Sequence, residues 1–206
     1  MANCILLASN NTHKHQEFVR LFPGVEIRTP RDIGVGFEFD EDGDTFLANA
    51  FGKAMALFRA ARVPVIADDS GLCVAALGGE PGIYSSRYGS GPDGVPLDAP
   101  RRNAYLLERM KGMKERGAFF ACCLVLVLEE ERFLIAQETV HGVITEAPRG
   151  EKGFGYDPLF LIPDRGMTIA ELPDREKDLV SHRGRAARRI QAIIGAEAAG
   201  KELPWT

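Results

Sequence analysis

The sequence lacks the basic excess of a nucleic-acid coat or a membrane-surface protein. Its 25 lysines and arginines are outnumbered by 29 aspartates and glutamates, for a formal net charge of −4, and no basic stripe stands out. This leaves room for a nucleotide ligand, since one site needs only a few local cations. Cysteine is scarce too. Cys4, Cys73, Cys122 and Cys123 form no CxxC pair with metal-ligand spacing and sit in or beside apolar runs. They read as small buried hydrophobes of a reducing compartment. No run nears the roughly 18 apolar residues of a membrane span. The apolar start at Ile5–Leu7 is too short for a secretory signal and follows no basic segment. The Gly-rich Walker loop is missing, as are internal repeats and low-complexity tracts. The expectation is a cytoplasmic protein that meets neither membrane nor nucleic acid.

What is present is an ordinary globular balance, 45% hydrophobic and 26% charged over 206 residues, enough for one domain or two lobes sharing a sheet. Ile5–Leu7 reads as a buried strand closed by the polar Ser9-Asn10-Asn11. A helix follows, capped by Asn11 or Thr12, with Phe18, Leu21 and Phe22 on one face, and Pro23-Gly24 stops it. Val25–Ile27 suggests a second strand. After the acidic stretch 38–44 a helix starts near Thr45, with Phe46, Ala50, Ala54, Leu57 and Phe58 at helical spacing. Val65–Ala67 reads as a strand running into the polar Asp68-Asp69-Ser70-Gly71. Residues 78–100, rich in Gly, Pro and Ser, read as a long loop or lid, followed by a helix over about 101–113. Phe119–Leu128 and Phe133–Val140 flank the charged turn 129–131 as a hairpin. Leu159–Ile162 suggests a short strand, and the last helix covers 181–194. Strands alternating with helices argue an α/β fold with some antiparallel pairing in the later half.

Five places can carry chemistry, each with a plainer reading beside it. Ser9-Asn10-Asn11-Thr12-His13-Lys14 feeds a helix N-terminus, where backbone N–H groups and the dipole favour a phosphate; the plain reading is a cap and a solvated lysine. Asp68 and Asp69 stand at the carboxyl end of a buried strand, where open α/β sheets bind ligands. Strand neighbours face opposite ways, so one of the two enters a site and holds a metal or takes a proton from water; the plain reading is a capping turn. Asp40-Glu41-Asp42 can add a metal ligand or can be a solvated helix start. Phe154-Gly155-Tyr156-Asp157 offers a ring to stack on a base and an acceptor for a base N–H, or two core aromatics in a loop. Lys177 and Ser181-His182-Arg183-Gly184 gather cationic groups around a helix start, against its dipole, which an anionic ligand would relieve; a solvated basic start is the alternative.

These motifs, with Thr45-Phe46, Gly82-Ile83-Tyr84-Ser85, Arg87-Tyr88 and Pro158, occur in an order and spacing that closely resemble the inosine/xanthosine triphosphate pyrophosphatase family, from Ile5 to about Ile194. The resemblance implies a mixed, elongated α/β sheet flanked by helices, a single domain of two lobes with the active-site cleft between them. It also implies a homodimer that depends on Mg²⁺. The implied reaction cleaves the α–β phosphoanhydride bond of deaminated purine nucleoside triphosphates (ITP, dITP, XTP, dXTP). On the same footing Asp69 is the proton acceptor and a metal ligand, with Asp40 or Glu41 assisting the metal. Ser9 to Lys14 hold the triphosphate and Ser70 touches the substrate. Phe154, Gly155, Tyr156, Asp157, Lys177, His182 and Arg183 hold the base and its neighbouring phosphate. One position departs from the family pattern. The second helix commonly reads Thr-Phe-x-Glu-Asn-Ala, and Ala48 stands here in place of the glutamate. The metal shell then falls to Asp40, Glu41 or Asp44.

Overall fold

The computed structural model describes residues 4–91 and 94–198. Its seven strands are β1 (Cys4–Leu7), β2 (Glu26–Arg28), β3 (Val65–Val74), β4 (Gly117–Glu129), β5 (Arg132–Ile144), β6 (Phe160–Ile162) and β7 (Met167–Thr168). They form one sheet in the order β2-β1-β3-β4-β5-β6-β7. β1 runs parallel to β2 and β3, whereas β6 is antiparallel to β5 and β7. The helices are α1 (Thr12–Leu21), α2 (Phe46–Ala61), α3 (Ala99–Arg109), α4 (Asp174–Val180) and α5 (His182–Ala198). The mixed α/β class read from the sequence is the class observed.

The chain divides into two compact units. Among the described residues, unit 1 comprises 4–69, 122–138 and 183–198; unit 2 comprises 70–91, 94–121 and 139–182.

Within unit 1 the period of a strand organises everything. Ile5, Leu7, Ile66, Leu124 and Leu126 join Phe18, Phe22, Ala186, Ala187 and Ile190 in one core cluster. Leu6, Ala8, Val65, Ala67, Cys123 and Val125 join Ala50, Ala54, Leu57 and Phe58 in another. Alternate side chains of the same strands therefore face α1 and α5 on one side and α2 on the other. Unit 2 packs a single cluster built on Leu72, Val74, Leu106, Met110, Phe120, Val140, Tyr156, Phe160 and Leu172.

Several boundaries differ from the sequence reading, each for a local reason. β2 is shifted one residue, to Glu26–Arg28. α3 begins at Ala99 because Asp98 caps it, its carboxylate accepting the Arg101 N–H at 2.9 Å, with Pro100 in the first turn. The expected loop at 78–100 holds a 3₁₀ turn at Gly82–Tyr84 and buried Ser85 and Tyr88; residues 92 and 93 lie outside the described part. β3 does not stop at Ala67 but runs on through Asp68-Asp69-Ser70-Gly71 to Val74. It does so because its two carboxylates find partners on either side of the sheet, described next. α4 and β7 were not expected from the sequence.

Candidate functional site

Strand alternation, carried on from Ile66 and Ala67, puts Asp68 on the α1/α5 face and Asp69 on the α2 face. Their partners agree. Asp69 Oδ2 accepts from Asn49 Nδ2 on α2 at 2.9 Å, and Asn49 Oδ1 accepts the Gly43 N–H at 2.8 Å. One asparagine thus joins the acidic 40–44 segment to the strand carboxylate. α2 starts where it does because Thr45 caps it, accepting the Ala48 N–H at 3.0 Å. One turn past Asn49, buried Lys53 pairs with Glu41. Burial raises the Asp69 carboxyl above the ordinary aspartate range; the Asn49 hydrogen bond opposes this and the nearby Glu41 charge adds to it. A carboxyl held this way suits proton transfer nearer neutral pH. Asp40 is exposed, so Glu41 is the acidic neighbour that acts on Asp69. The exposed Ala48 offers no third carboxylate.

On the other face Asp68 is fully buried between cations. Lys14 Nζ lies 3.1 Å from its Oδ1. Arg183 donates from Nε and Nη2 to its Oδ2 at 3.1 and 2.8 Å, and from Nη1 to Glu17 Oε2 at 2.6 Å. Burial alone would push the Asp68 carboxyl up, yet Lys14 and Arg183 outweigh it and hold the group far below the usual range. The cationic crowding read from Arg183 at a helix start is therefore met by the protein's own Asp68 and Glu17. The sequence reading gives that role to an anionic ligand; in the structure two carboxylates of the chain fill it.

The loop ahead of α1 is exposed at Asn10, Asn11, Thr12 and His13. Asn11 caps the helix, its Oδ1 accepting the His13 and Lys14 N–H groups at 2.9 and 3.2 Å, while Ser9 Oγ accepts the Asn11 N–H at 3.1 Å. Two of the helix-start donors expected to meet phosphate are thus engaged by the cap. Asn10 Nδ2 donates to the Phe37 carbonyl at 3.0 Å.

In unit 2, Asp157 organises its own loop. Its Oδ2 accepts the Phe154 N–H at 2.8 Å and the Lys177 ammonium at 2.7 Å. The ammonium lies 5.0 Å from the centre of the half-buried Phe154 ring. Lys177 sits in the last turn of α4. Tyr156 is a core residue, its hydroxyl donating to the Ser85 carbonyl at 3.1 Å. Phe154 is the aromatic of the two that stays half-buried. His182 stacks on Phe120, with ring centroids 4.8 Å apart and planes 11° from parallel. Ser70 is half-buried on β3. Gly153 has φ +73°, and an added Cβ there would land on Asp157 Oδ2. Gly153→Ala is expected to displace Asp157 from Phe154 and Lys177. On the nucleotide substrate that the sequence resemblance implies, steady-state kinetics should show KM raised about tenfold with kcat much less affected. An unchanged KM would mean the loop does not hold substrate.

Two residues close to Asp69 escaped the sequence reading. Asn49 and Lys53 stand at i and i+4 on the otherwise apolar face of α2, at 1% and 6% exposure. Polar groups breaking an apolar stripe in register were the available signal.

A model of the Ham1 family matches residues 5–193. The dITP/XTP pyrophosphatase of Treponema denticola is 48% identical over 190 residues, covering 92% of this chain and 97% of the relative. That of Burkholderia pseudomallei is 44% identical over 195 residues, covering 93% of each. The solved structure of the Staphylococcus aureus Ham1 protein superposes with a TM-score of 0.82 at 36% identity, covering 94% of this chain and 99% of that one.

Proposed function

This chain belongs to the Ham1 family, and from that premise we propose the roles of its residues in catalysis. The protein is a nucleoside triphosphate pyrophosphatase. It hydrolyses deaminated purine nucleoside triphosphates (ITP, dITP, XTP and dXTP) to the monophosphate and pyrophosphate. The observation that carries the proposed chemistry is the buried Asp69, held by Asn49 beside the Glu41–Lys53 pair.

Asp69 takes the proton from the water that attacks the α-phosphorus, and the bond to the β-phosphate breaks. Lys14, with Ser9, Asn10, Asn11, Thr12 and His13, holds the triphosphate. Lys14 can turn from Asp68 to a phosphate oxygen because its side chain keeps some exposure, 15%. Ser70, next to Asp69 on β3, touches the substrate. Asp69 and Glu41 fit a divalent cation, Mg²⁺ in this proposal. They are hard oxygen donors, and the Glu41 charge is close enough to raise the proton affinity of Asp69. Mg²⁺ commonly takes one or two carboxylates and completes its shell with phosphates and water. When bound, it would neutralise phosphate charge and activate the pyrophosphate leaving group.

The base is assigned to the loop at 153–157 with Lys177 and His182. Hypoxanthine and xanthine carry an oxygen at position 6 and adenine an amino group. A donor such as Lys177 aimed at O6 rejects adenine, since unmatched buried donors can cost a competing base roughly 10⁴–10⁵-fold. Arg183, bound to Asp68 and Glu17, supports Lys14 from behind. A homodimer working in the cytoplasm completes the proposal.

The decisive experiment is pyrophosphate release from ITP, XTP, GTP and ATP side by side, with and without Mg²⁺. Fast release from ITP and XTP, abolished by chelation, is expected. Comparable release from ATP would overturn the assignment of Lys177 to O6. Full activity in chelator would remove the cation from the proposal.

A further inference from the structure

The turn Gly82-Ile83-Tyr84-Ser85 has no part in the roles assigned above, yet Ser85 is 8% exposed and bonded in three directions within unit 2. Its hydroxyl accepts the Leu72 N–H at 2.9 Å and donates to the Gly82 carbonyl at 2.6 Å. Its own carbonyl accepts the Tyr156 hydroxyl at 3.1 Å. Leu72 follows Asp69-Ser70-Gly71 on β3, and Tyr156 follows Phe154-Gly155 in the loop assigned to the base. One residue therefore grips the strand of Ser70 with its side chain and the base loop with its main chain. The same loop has a second tether, Asn103 Nδ2 on α3 to the Gly155 carbonyl at 3.1 Å. Asn103 holds this bond although its buried Oδ1 has no hydrogen-bond partner among the described residues, an arrangement that costs stability.

We infer that Ser85 is a positioning residue for substrate selection: it fixes the base-reading loop against the strand that carries Ser70. The inference rests on the proposed function, in which the loop at 153–157 reads the base. A nucleotide is a short, semi-rigid ruler. Recognition of its base aids the reaction only if base contacts and reacting groups keep a set spacing, and misplacement by about 1 Å can cost 10²-fold. Cutting either hydrogen bond at Ser85 frees the loop from the strand and leaves each with its own contacts. The effect belongs to substrates that use the base contacts and not to turnover in general.

The test compares kcat and KM for ITP and for ATP in the full chain and in Ser85→Ala, Ser85→Thr and Tyr156→Phe, with the melting temperature of each. Ser85→Ala and Tyr156→Phe are each expected to lower the ITP-over-ATP ratio of kcat/KM about tenfold, the scale of one lost hydrogen bond. Ser85→Thr, which keeps the hydroxyl, should retain most of the ratio. Because the two bonds act in series, the double variant should lose no more of it than either single one. Tyr156→Phe keeps the buried ring, so it carries the test should Ser85→Ala fail to fold. Equal losses on both substrates, or additive losses in the double variant, would reduce Ser85 to a part of the fold and overturn the inference. A wild-type protein with no preference for ITP over ATP would overturn the assignment of the base loop itself, and this inference with it.

Discussion

Asp69→Asn is expected to lower pyrophosphate release from ITP by about 10²–10⁴-fold, the usual worth of a positioned general base, with the fold and substrate binding retained. The substitution changes one carboxylate oxygen for an amide nitrogen and adds no volume. The new side chain can still present an oxygen to Asn49 Nδ2, the partner it now meets at 2.9 Å. What disappears is the acceptor for the proton of water and one negative oxygen for a cation. Calorimetry with ITP and thermal melting, run beside the turnover assay, separate these effects. Near-normal turnover would remove Asp69 from the reaction. Lost turnover together with a collapsed melting curve would mean that the carboxylate supports the fold, and the base would have to be sought elsewhere. The neighbouring Asp68 is the internal control. It faces the other side of the sheet, and its removal should act on stability first.

Arg183→Met is expected to destabilise the protein by about 3–5 kcal/mol, because it leaves Asp68 and Glu17 buried without their shared cation. That corresponds to a melting temperature lower by about 10 °C in a chain of this size. Methionine fills much of the arginine stem, so the loss reports charge rather than a cavity. Buried carboxylates stripped of a partner are worse than none. The triple change Arg183→Met, Asp68→Asn, Glu17→Gln should therefore recover part of the stability, read by denaturant unfolding. A single variant as stable as the wild type would show that the network contributes nothing net. The pH dependence follows from the depressed Asp68 carboxyl. A group whose folded proton affinity is lowered gives stability that is present above its unfolded value, about 3.9 for aspartate. That stability is lost as pH falls further. The wild-type protein should thus keep this contribution through neutral pH and lose it as the pH falls below about 4, read by denaturant unfolding across pH.

The parts of this molecule that a single sequence discloses are those governed by short periods. The alternation in Ile5–Leu7, the cap at Asn11 and the helical spacing of Ala50, Ala54 and Leu57 each place an element within a residue or two. Alternation also told that Asp68 and Asp69 must face apart. It did not tell which face is which, because Asp68 is settled by Arg183, 115 residues away, and Arg183 in turn by Glu17 at a separation of 166. The strand was read as ending at Ala67 for the same reason: four polar residues look like a turn until their partners are known. The sequence gives Lys53 little weight, since lysine on a helix is nearly always solvated, whereas this one is buried on Glu41. Tyr156 resembled a stacking ring beside Phe154. Only packing shows that one points into the core and the other stays half-exposed.

The ion pair between Arg183 and Glu17 also sets a condition on birth at the ribosome. Unit 1 draws its residues from three stretches of chain, and the core it builds around Ile5, Phe18 and Ile66 is completed by Ala186, Ala187 and Ile190. At roughly 5–20 residues per second, the arginine is made on the order of ten seconds or more after the glutamate it will neutralise. Throughout that interval Glu17 and Asp68 lack the guanidinium they will share, with Lys14 the cation already made beside Asp68, and the strand beside them lacks the helix that covers it. The first residues synthesised are thus among the last to be finished, and the nascent protein depends on its own late segment, or on a chaperone, to keep an open sheet face from its neighbours.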